Sequence, residues 1–280
     1  MNFAEQLIRC SALGNIMTTS RGSEITAKQT EELNELLTKI KLTEKQAHRR
    51  DELVAKRDAQ PELSATAKSY LKELFLESVF GRQHFMQNKY TEKGTLCEME
   101  GIRLANDVLK WNLDDDSMAL LEFSKVRVNN EWITGEMDVN LPSLLADIKC
   151  PWDLFTFPFF ESELPNKDYY WQLQGYMMLT GHKSSELVYC LVDAPEHMII
   201  DEQRRREWQR KDIELPQEIA DQIRRDMTFG DISPEIRVKR WVIDRNDEDI
   251  EKIKQHVEMA REYLDCLYSA FNLQLIKINL

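Results

Sequence analysis

Between residues 26 and 60 the chain is polar and helix-prone, and Leu33, Leu36, Leu37 and Ile40 recur at the steps of one helix face. Thr43 and Gln46 have the spacing of a capping box, so a second helix is expected to start there and to end before Pro61. The pair reads as an antiparallel helical hairpin. Its basic run, Lys45, His48, Arg49 and Arg50, has two readings, a solvated face or a contact with a polyanion. Ser64 is placed to cap a further helix, ATAKSYLKELFLESVF, that stops at Gly81. Another is expected to begin after Gly94 and to carry Glu98, Ile102, Ala105 and Leu109 on one face. A carboxylate on such a face is costly to bury without a cationic partner. Near the N-terminus, RCSALGNIM offers Ser11 as an N-cap.

From residue 122 onward alternation replaces helical spacing. EFSKVRV and EWITGEMDVNL are predicted strands on either side of Asn129–Asn130, and LLADIKC closes a second hairpin across Leu141–Pro142–Ser143–Leu144. ELVYCLVD and EIRVKRWVI read as later strands. YYWQLQGYMMLTG, DEQRRREWQRKD and the amphipathic EDIEKIKQHVEMAREYLDCLYSAF read as helices. The predicted fold is α/β, or α+β: a small mixed β-sheet flanked by helices, with an N-terminal helical insertion. Three parts are expected, an N-terminal segment (1–25), the helical hairpin (26–62) and the main domain (63–280).

Composition narrows the class. The 280 residues are 42% hydrophobic and 31% charged, as in an ordinary globular chain. No run approaches the roughly 18 apolar residues of a spanning helix, and the first residues lack a long apolar stretch behind a basic start. A soluble cytoplasmic protein without membrane association is therefore expected. The five cysteines lie 40 or more residues apart, against both a disulfide framework and a closely spaced zinc or iron–sulfur set. G-x-x-x-x-G-K-[ST], G-x-S-x-G and H-E-x-x-H are all absent.

The candidate chemistry sits in GEMDVNLPSLLADIK, residues 135–149. Facing residues of a symmetric antiparallel hairpin have numbers of constant sum. With that sum at 285, Asp138 faces Asp147 and Glu136 faces Lys149, all on one side of the sheet. Two facing carboxylates repel unless one is protonated or a cation lies between them, and oxygen donors at this spacing suit Mg²⁺ or Mn²⁺. Lys149 would then position an attacking water or offset charge on a phosphorus centre. A solvent-facing hairpin with ordinary charge pairs is the competing reading. Gln172 and Gln174 add weight to the first, because amides in an apolar, aromatic helix need partners.

Asp138, D-x(8)-D-x-K through Lys149, the preceding helix Glu98 and Q-x-x-x-Y from Gln172 to Tyr176 resemble the PD-(D/E)XK nuclease signature. Gly94–Glu98, DIKCP at 147–151, YYWQLQGYMMLTG and RCSALGNIM together resemble its phage lambda exonuclease branch, the alkaline-exonuclease or viral-recombinase group. The resemblance covers residues 1–20 and 64–265. Met137 replaces the pattern's proline, Asp147 the commoner glutamate, and the loop between the two acids is short.

The resemblance implies a restriction-endonuclease-like core with Glu98, Asp138, Asp147, Lys149 and Gln172 as catalytic residues. Glu98, Asp138, Asp147 and the carbonyl of Ile148 would hold Mg²⁺, with Mn²⁺ as a substitute and two ions in the site. Lys149 would be the catalytic lysine, and Gln172 would orient it or the attacking water. Arg9 and Ser11 would contact a 5′-phosphate, making 1–25 a DNA-end-contacting segment and 63–280 the nuclease domain. The implied activity is metal-dependent hydrolysis of phosphodiester bonds from the 5′ end of linear double-stranded DNA, exposing 3′ single strands for recombination. A phage or prophage setting, a single-strand annealing partner and a homo-trimeric ring are implied with it. The alternatives are an endonuclease or single-strand nuclease on the same fold and a catalytically silent DNA-binding protein. The net charge of 37 − 49 = −12 does not oppose DNA, because only the groove must be basic while metal ligands must be acidic.

Two further stretches carry open readings. PWDLFTFPFF (151–160) is either a stacking platform for DNA ends or a buried strand end or subunit contact. QRRREWQRK (203–211) is either a DNA-backbone track or an exposed helix face.

Overall fold

The computed structural model describes residues 3–18, 25–58, 62–83, 88–211 and 214–278. In chain order its first elements are β1 (Ile8–Arg9), α1 (Leu13–Ile16), α2 (Ala27–Thr38), α3 (Glu44–Asp58), α4 (Ala65–Phe80), α5 (Lys89–Leu96), α6 (Glu98–Leu109) and α7 (Asp115–Phe123). There follow β2 (Val128–Asn129), β3 (Ile133–Gly135), β4 (Val139–Leu141), β5 (Leu144–Lys149), α8 (Lys167–Thr180) and β6 (Ser184–Cys190). The chain closes with α9 (Glu196–Arg210), α10 (Gln217–Met227), β7 (Val238–Asp244) and α11 (Asp247–Ile278). It forms two compact units, one of Met1–Ile8, Ala12–His84 and Glu251–Leu280, the other of Arg9–Ser11 and Phe85–Ile250.

The first unit is helical. Thr26 accepts from the Gln29 amide while Gln29 bonds back to Thr26, and Thr43 and Gln46 repeat the box before α3. Leu33 and Leu36 are buried with Leu53, whereas Leu37 is half exposed and Ile40 fully exposed. The predicted stripe is thus shorter than its spacing suggested, because α2 ends at Thr38 and Ile40 falls past its last turn. Pro61 lies outside the described residues. Three of the four residues of the basic run are paired locally: His48 with Glu52, Arg49 in a fork onto Glu32 at 3.0 Å, and Arg50 with Asp51. Ser64 caps α4 by accepting from Ala67 N, and Gly81 closes it at φ 62°, where a side chain would be strained. In α11, Ile253, Val257, Ala260 and Leu264 form the buried face expected of an amphipathic helix.

The second unit holds a four-stranded sheet, β4–β5–β6–β7, antiparallel, parallel, antiparallel. Val139↔Ala146, Asn140↔Leu145 and Leu141↔Leu144 pair across β4 and β5, all summing to the predicted 285. β5 is central and buried on both faces. Its even positions Ala146 and Ile148, and Cys150 just past its end, share a core with Ile102 and Ala105 of α6. Its odd positions meet α8 (below). A Cβ on Gly101 would lie 2.8 Å from Ile148 Cγ2 and 2.9 Å from Cys150 Sγ, so α6 approaches β5 this closely only because the residue is glycine. β2 and β3 pair antiparallel (Val128↔Gly135), and Arg9 of β1 lies on the other side of β3.

Several expectations are corrected. Ser11 does not cap α1; it lies in a 3₁₀ turn, and the N-cap position is Ala12 without a side-chain bond. The helix expected after Gly94 is preceded by α5, started by a capping box at Asn88, with a break at Cys97 before α6. Of EFSKVRV only Val128 is strand, because Asp114 caps Ser117 N at 2.9 Å and starts α7, which runs through Phe123. The β4–β5 turn falls where alternation placed it, but EWITGEMDVNL is broken at 136–138 into β3 and β4 of two sheets, and EIRVKRWVI is strand only from Val238, after a 3₁₀ turn at Pro234–Ile236. Among the described residues no helix is long and apolar enough to cross a membrane.

Candidate active site

The site is assembled at one end of the central strand. Lys149 and Asp147 leave β5 on the α8 side, Ile148 presents its backbone between them, and Asp138 stands just before β4. Glu98 opens α6, and Gln172 lies in the buried middle of α8. Hydrogen bonds and ion pairs join these four elements. Asp138 Oδ2 accepts from Ile148 N at 2.8 Å, a side-chain bond that takes over where the β4–β5 ladder stops. Asp147 Oδ1 accepts from Gln172 Nε2 at 2.9 Å, and Asp147 Oδ2 lies 2.5 Å from Lys149 Nζ in an ion pair off the hydrogen-bonding direction, so this oxygen accepts no directed bond.

Gln172 has no freedom to flip. Its Nε2 also donates to Tyr176 Oη at 2.7 Å, and Tyr176 Oη donates to Glu136 O at 3.1 Å. The amide thus presents its nitrogen to Asp147, and its orienting bond goes to that carboxylate. Lys149 Nζ sits 5.0 Å from the centre of the Tyr169 ring, also on α8. The neighbouring Gln174, fully buried, ties α8 to the end of β7 through Asp244 O and Asn246 N. Neither predicted facing pair, Asp138 with Asp147 or Glu136 with Lys149, is part of the ladder. The ladder ends before residue 138, so Glu136 turns to Arg127 (3.2 Å) and does not face Lys149.

Lys125, between α7 and β2, was not anticipated. Its Nζ contacts Glu98 Oε1 and lies 3.2 Å from Asp138 Oδ1, which supplies the cation that a carboxylate on the α6 face requires. No sequence signal marks it, since its relation to both acids is set by the path of a loop. Three carboxylates therefore converge on two ammonium groups. Burial, then the charge of Asp138, pushes the Glu98 carboxyl up to about 7 against the pull of Lys125. Burial likewise raises Asp147 to about 6, with Lys149 opposing. Burial disfavours the charge on Lys149, but Asp147 and Asp138 outweigh it and hold the ammonium above its usual range.

The donors fit a hard divalent cation in kind: three carboxylates, the Ile148 carbonyl, and a buried Asp147 oxygen with no directed bond. Among the described residues no group of three His, Cys, Asp or Glu side chains forms a ready metal cage, and the two lysines stand at the carboxylates instead. Arg9 and Ser11 are exposed and flank buried Cys10, whose Sγ packs against Gly135 of β3. In the aromatic stretch, Phe157 is buried with Leu191 and Phe229, while Phe155 and Phe160 are 92% and 96% exposed. Along α9, Arg204 and Arg205 pair with Asp201 and Glu202, and Trp208 is exposed.

Among solved structures the chain is similar to a phage-related exonuclease from Haemophilus somnus 129PT, with 27% identity, a TM-score of 0.63, and 95% of this chain and 97% of that one covered. It is also similar to the alkaline exonuclease LHK-Exo from Laribacter hongkongensis, at 13% identity and a TM-score of 0.52, over 98% and 96% of the two chains. No protein-family model matches the chain, and no curated protein sequence matches it significantly. The fold is shared with these phage-related and alkaline exonucleases, which is consistent with the lambda-exonuclease-like PD-(D/E)XK motifs of the sequence.

Proposed function

We propose that this protein is a divalent-metal-dependent deoxyribonuclease that hydrolyses phosphodiester bonds from the 5′ end of linear duplex DNA, exposing a 3′ single strand for recombination. The observation that carries the reading is the convergence of Glu98, Asp138, Asp147, Lys149 and Gln172, from four separate stretches of sequence, around one pocket of charge. A bound Mg²⁺ or Mn²⁺ pair, held by Glu98, Asp138, Asp147 and the Ile148 carbonyl, would acidify a water and neutralise the phosphate. Lys149, fixed by Asp147 and the Tyr169 ring, directs its ammonium at the attacking water and offsets charge on phosphorus. Gln172 and Tyr176 keep Asp147 in one rotamer, so the ligand oxygen needs no reorganisation when the substrate arrives.

Arg9 and Ser11 are assigned to the 5′-phosphate: both are exposed, and an arginine and a hydroxyl suit a terminal phosphate. A homo-trimeric ring, a single-strand annealing partner and a phage or prophage origin in a bacterial cytoplasm complete the reading. The 26–62 hairpin is assigned as an insertion on the nuclease domain.

The test incubates the protein with 5′-phosphorylated linear duplex and with a closed circle, with and without Mg²⁺, beside Lys149→Ala. Mg²⁺-dependent loss of the linear duplex alone, releasing mononucleotides and leaving one strand, is the expected result. Cutting of the circle would move the activity to an endonuclease. Inertness towards both substrates with Mg²⁺ and Mn²⁺ would leave a DNA-binding protein without catalysis.

A further inference from the structure

We infer that Lys125 is a built-in counter-cation that keeps the carboxylates assembled before metal arrives and is displaced from them when metal binds. The inference rests on the metal-dependent reading above and adds to it a role for a residue outside the nuclease motifs. Glu98 and Asp138 come from different places in the fold, the α6 terminus and the residue just before β4, and both are largely shielded from water. Two carboxylates so placed would repel and swing apart, or one would take a proton, if nothing cationic lay between them. Lys125 Nζ lies in contact with both. A divalent ion held by the same two carboxylates would meet that ammonium as a like charge at close range, so the two cations exclude each other.

The structure also provides somewhere for the side chain to go. A cavity of about 170 Å³ opens beside it, with Lys125 and Asp138 on its wall and Leu121, Val126, Met137 and Asn140 among the other lining residues. A lysine stem covers apolar surface while its ammonium keeps to water, which suits this lining. Lys125 also belongs to the stretch 124–127 between α7 and β2, outside any helix or strand, where the backbone gives more readily than in β5. By contrast Lys149 is anchored on the central strand and keeps its place beside Asp147. One lysine yields and the other stays.

The experiment follows the amine and the metal, not turnover. The full-length protein is labelled with an acetylating reagent in chelator and in saturating Mn²⁺, and the Lys125 peptide is quantified by mass spectrometry against exposed Lys39 as internal standard. Labelling of Lys125 should rise severalfold on adding Mn²⁺, and Lys149 should not follow it. In parallel, Mn²⁺ is titrated by calorimetry into wild type, Lys125→Met and Lys125→Gln. Both variants should bind Mn²⁺ about tenfold more tightly, because a charge at this range shifts ionic equilibria by one unit or more. They should also melt lower in chelator and gain more from Mn²⁺ than wild type. Unchanged labelling, or Mn²⁺ affinity that is unchanged or weaker in the variants, would overturn the inference. Wild type that neither binds Mn²⁺ nor cuts DNA would sink the nuclease reading as well; wild type that does both, with Lys125 labelling unmoved, would sink this inference alone. Should Lys125→Met fail to fold, Lys125→Gln and the wild-type labelling each decide the question.

Discussion

Replacing Lys149 by methionine should destabilise the fold by an amount that grows with pH. The Asp147 side chain is only 3% exposed, its Oδ2 lies 2.5 Å from Lys149 Nζ, and its carboxyl stands at about 6 although that ammonium pulls it down. An acid whose folded pKa lies above its unfolded value of about 3.9 is held protonated by the fold, so its contribution is greatest below 3.9 and is lost as pH rises towards the folded value. In wild type that loss ends near pH 6, where Asp147 ionises against Lys149. Without Lys149 the folded pKa climbs further, and the variant continues to lose about 1.4 kcal/mol per pH unit where wild type has levelled off. Two further units, from about pH 6 to about pH 8, give a difference of about 3 kcal/mol, at the lower end of the roughly 3–5 kcal/mol found on breaking a buried ion pair. Near pH 5, where both proteins keep the proton, the gap should shrink to about 1 kcal/mol or less. Urea unfolding followed by tryptophan fluorescence, in chelator across this range, measures the gap directly. The double variant Asp147→Asn with Lys149→Met has no carboxyl to protonate and should show a flat profile. A gap of equal size at both ends of the range would refute the reasoning.

Three other outcomes follow from the same geometry. Because Glu98 at about 7 and Asp147 at about 6 must lose protons to bind a cation, the Mg²⁺-induced rise in melting temperature should be larger near pH 8 than near pH 5.5, and equal rises would count against the ligand set. Gly101→Ala should cost about 1–3 kcal/mol in urea unfolding, since its Cβ would sit 2.8 Å from Ile148 Cγ2; a variant as stable as wild type would show that α6 can back away freely. Gln172→Leu strips a donor from buried Asp147 Oδ1 and another from Tyr176 Oη, so stability should fall by about 1–3 kcal/mol and kcat should drop while KM for DNA holds. A raised KM with kcat intact would instead place Gln172 in substrate binding.

Local rules carried the sequence a long way. Capping residues mark where α3 and α4 start and Gly81 where α4 stops, because a cap is a contact over three residues and needs no knowledge of the fold. The register of β4 with β5 was legible for a similar reason. A turn of two residues, Pro142 and Ser143, joins strands whose pairing can run only one way, and the symmetric hairpin it closes fixes one constant sum of facing residue numbers. From that register alone Asp138 and Asp147 come to the same end of the hairpin, and the order of motifs adds Glu98, Lys149 and Gln172.

Tertiary structure decided the rest. The ladder stops at Val139, so Asp138 bonds to the backbone of Ile148 and Glu136 turns away to Arg127, a break that alternation continued straight through. The orientation of Gln172 depends on Tyr176 and on the Glu136 carbonyl, 40 residues before that tyrosine in sequence. Lys125 reaches Glu98 and Asp138 only because α7 ends at Phe123 and releases the chain beside them, in a stretch where the pattern predicted a strand. Periodicity and spacing describe which face a residue takes on its own element. How strongly a buried carboxyl is protonated depends instead on which charges other elements bring within a few ångströms, and that is settled when the elements pack.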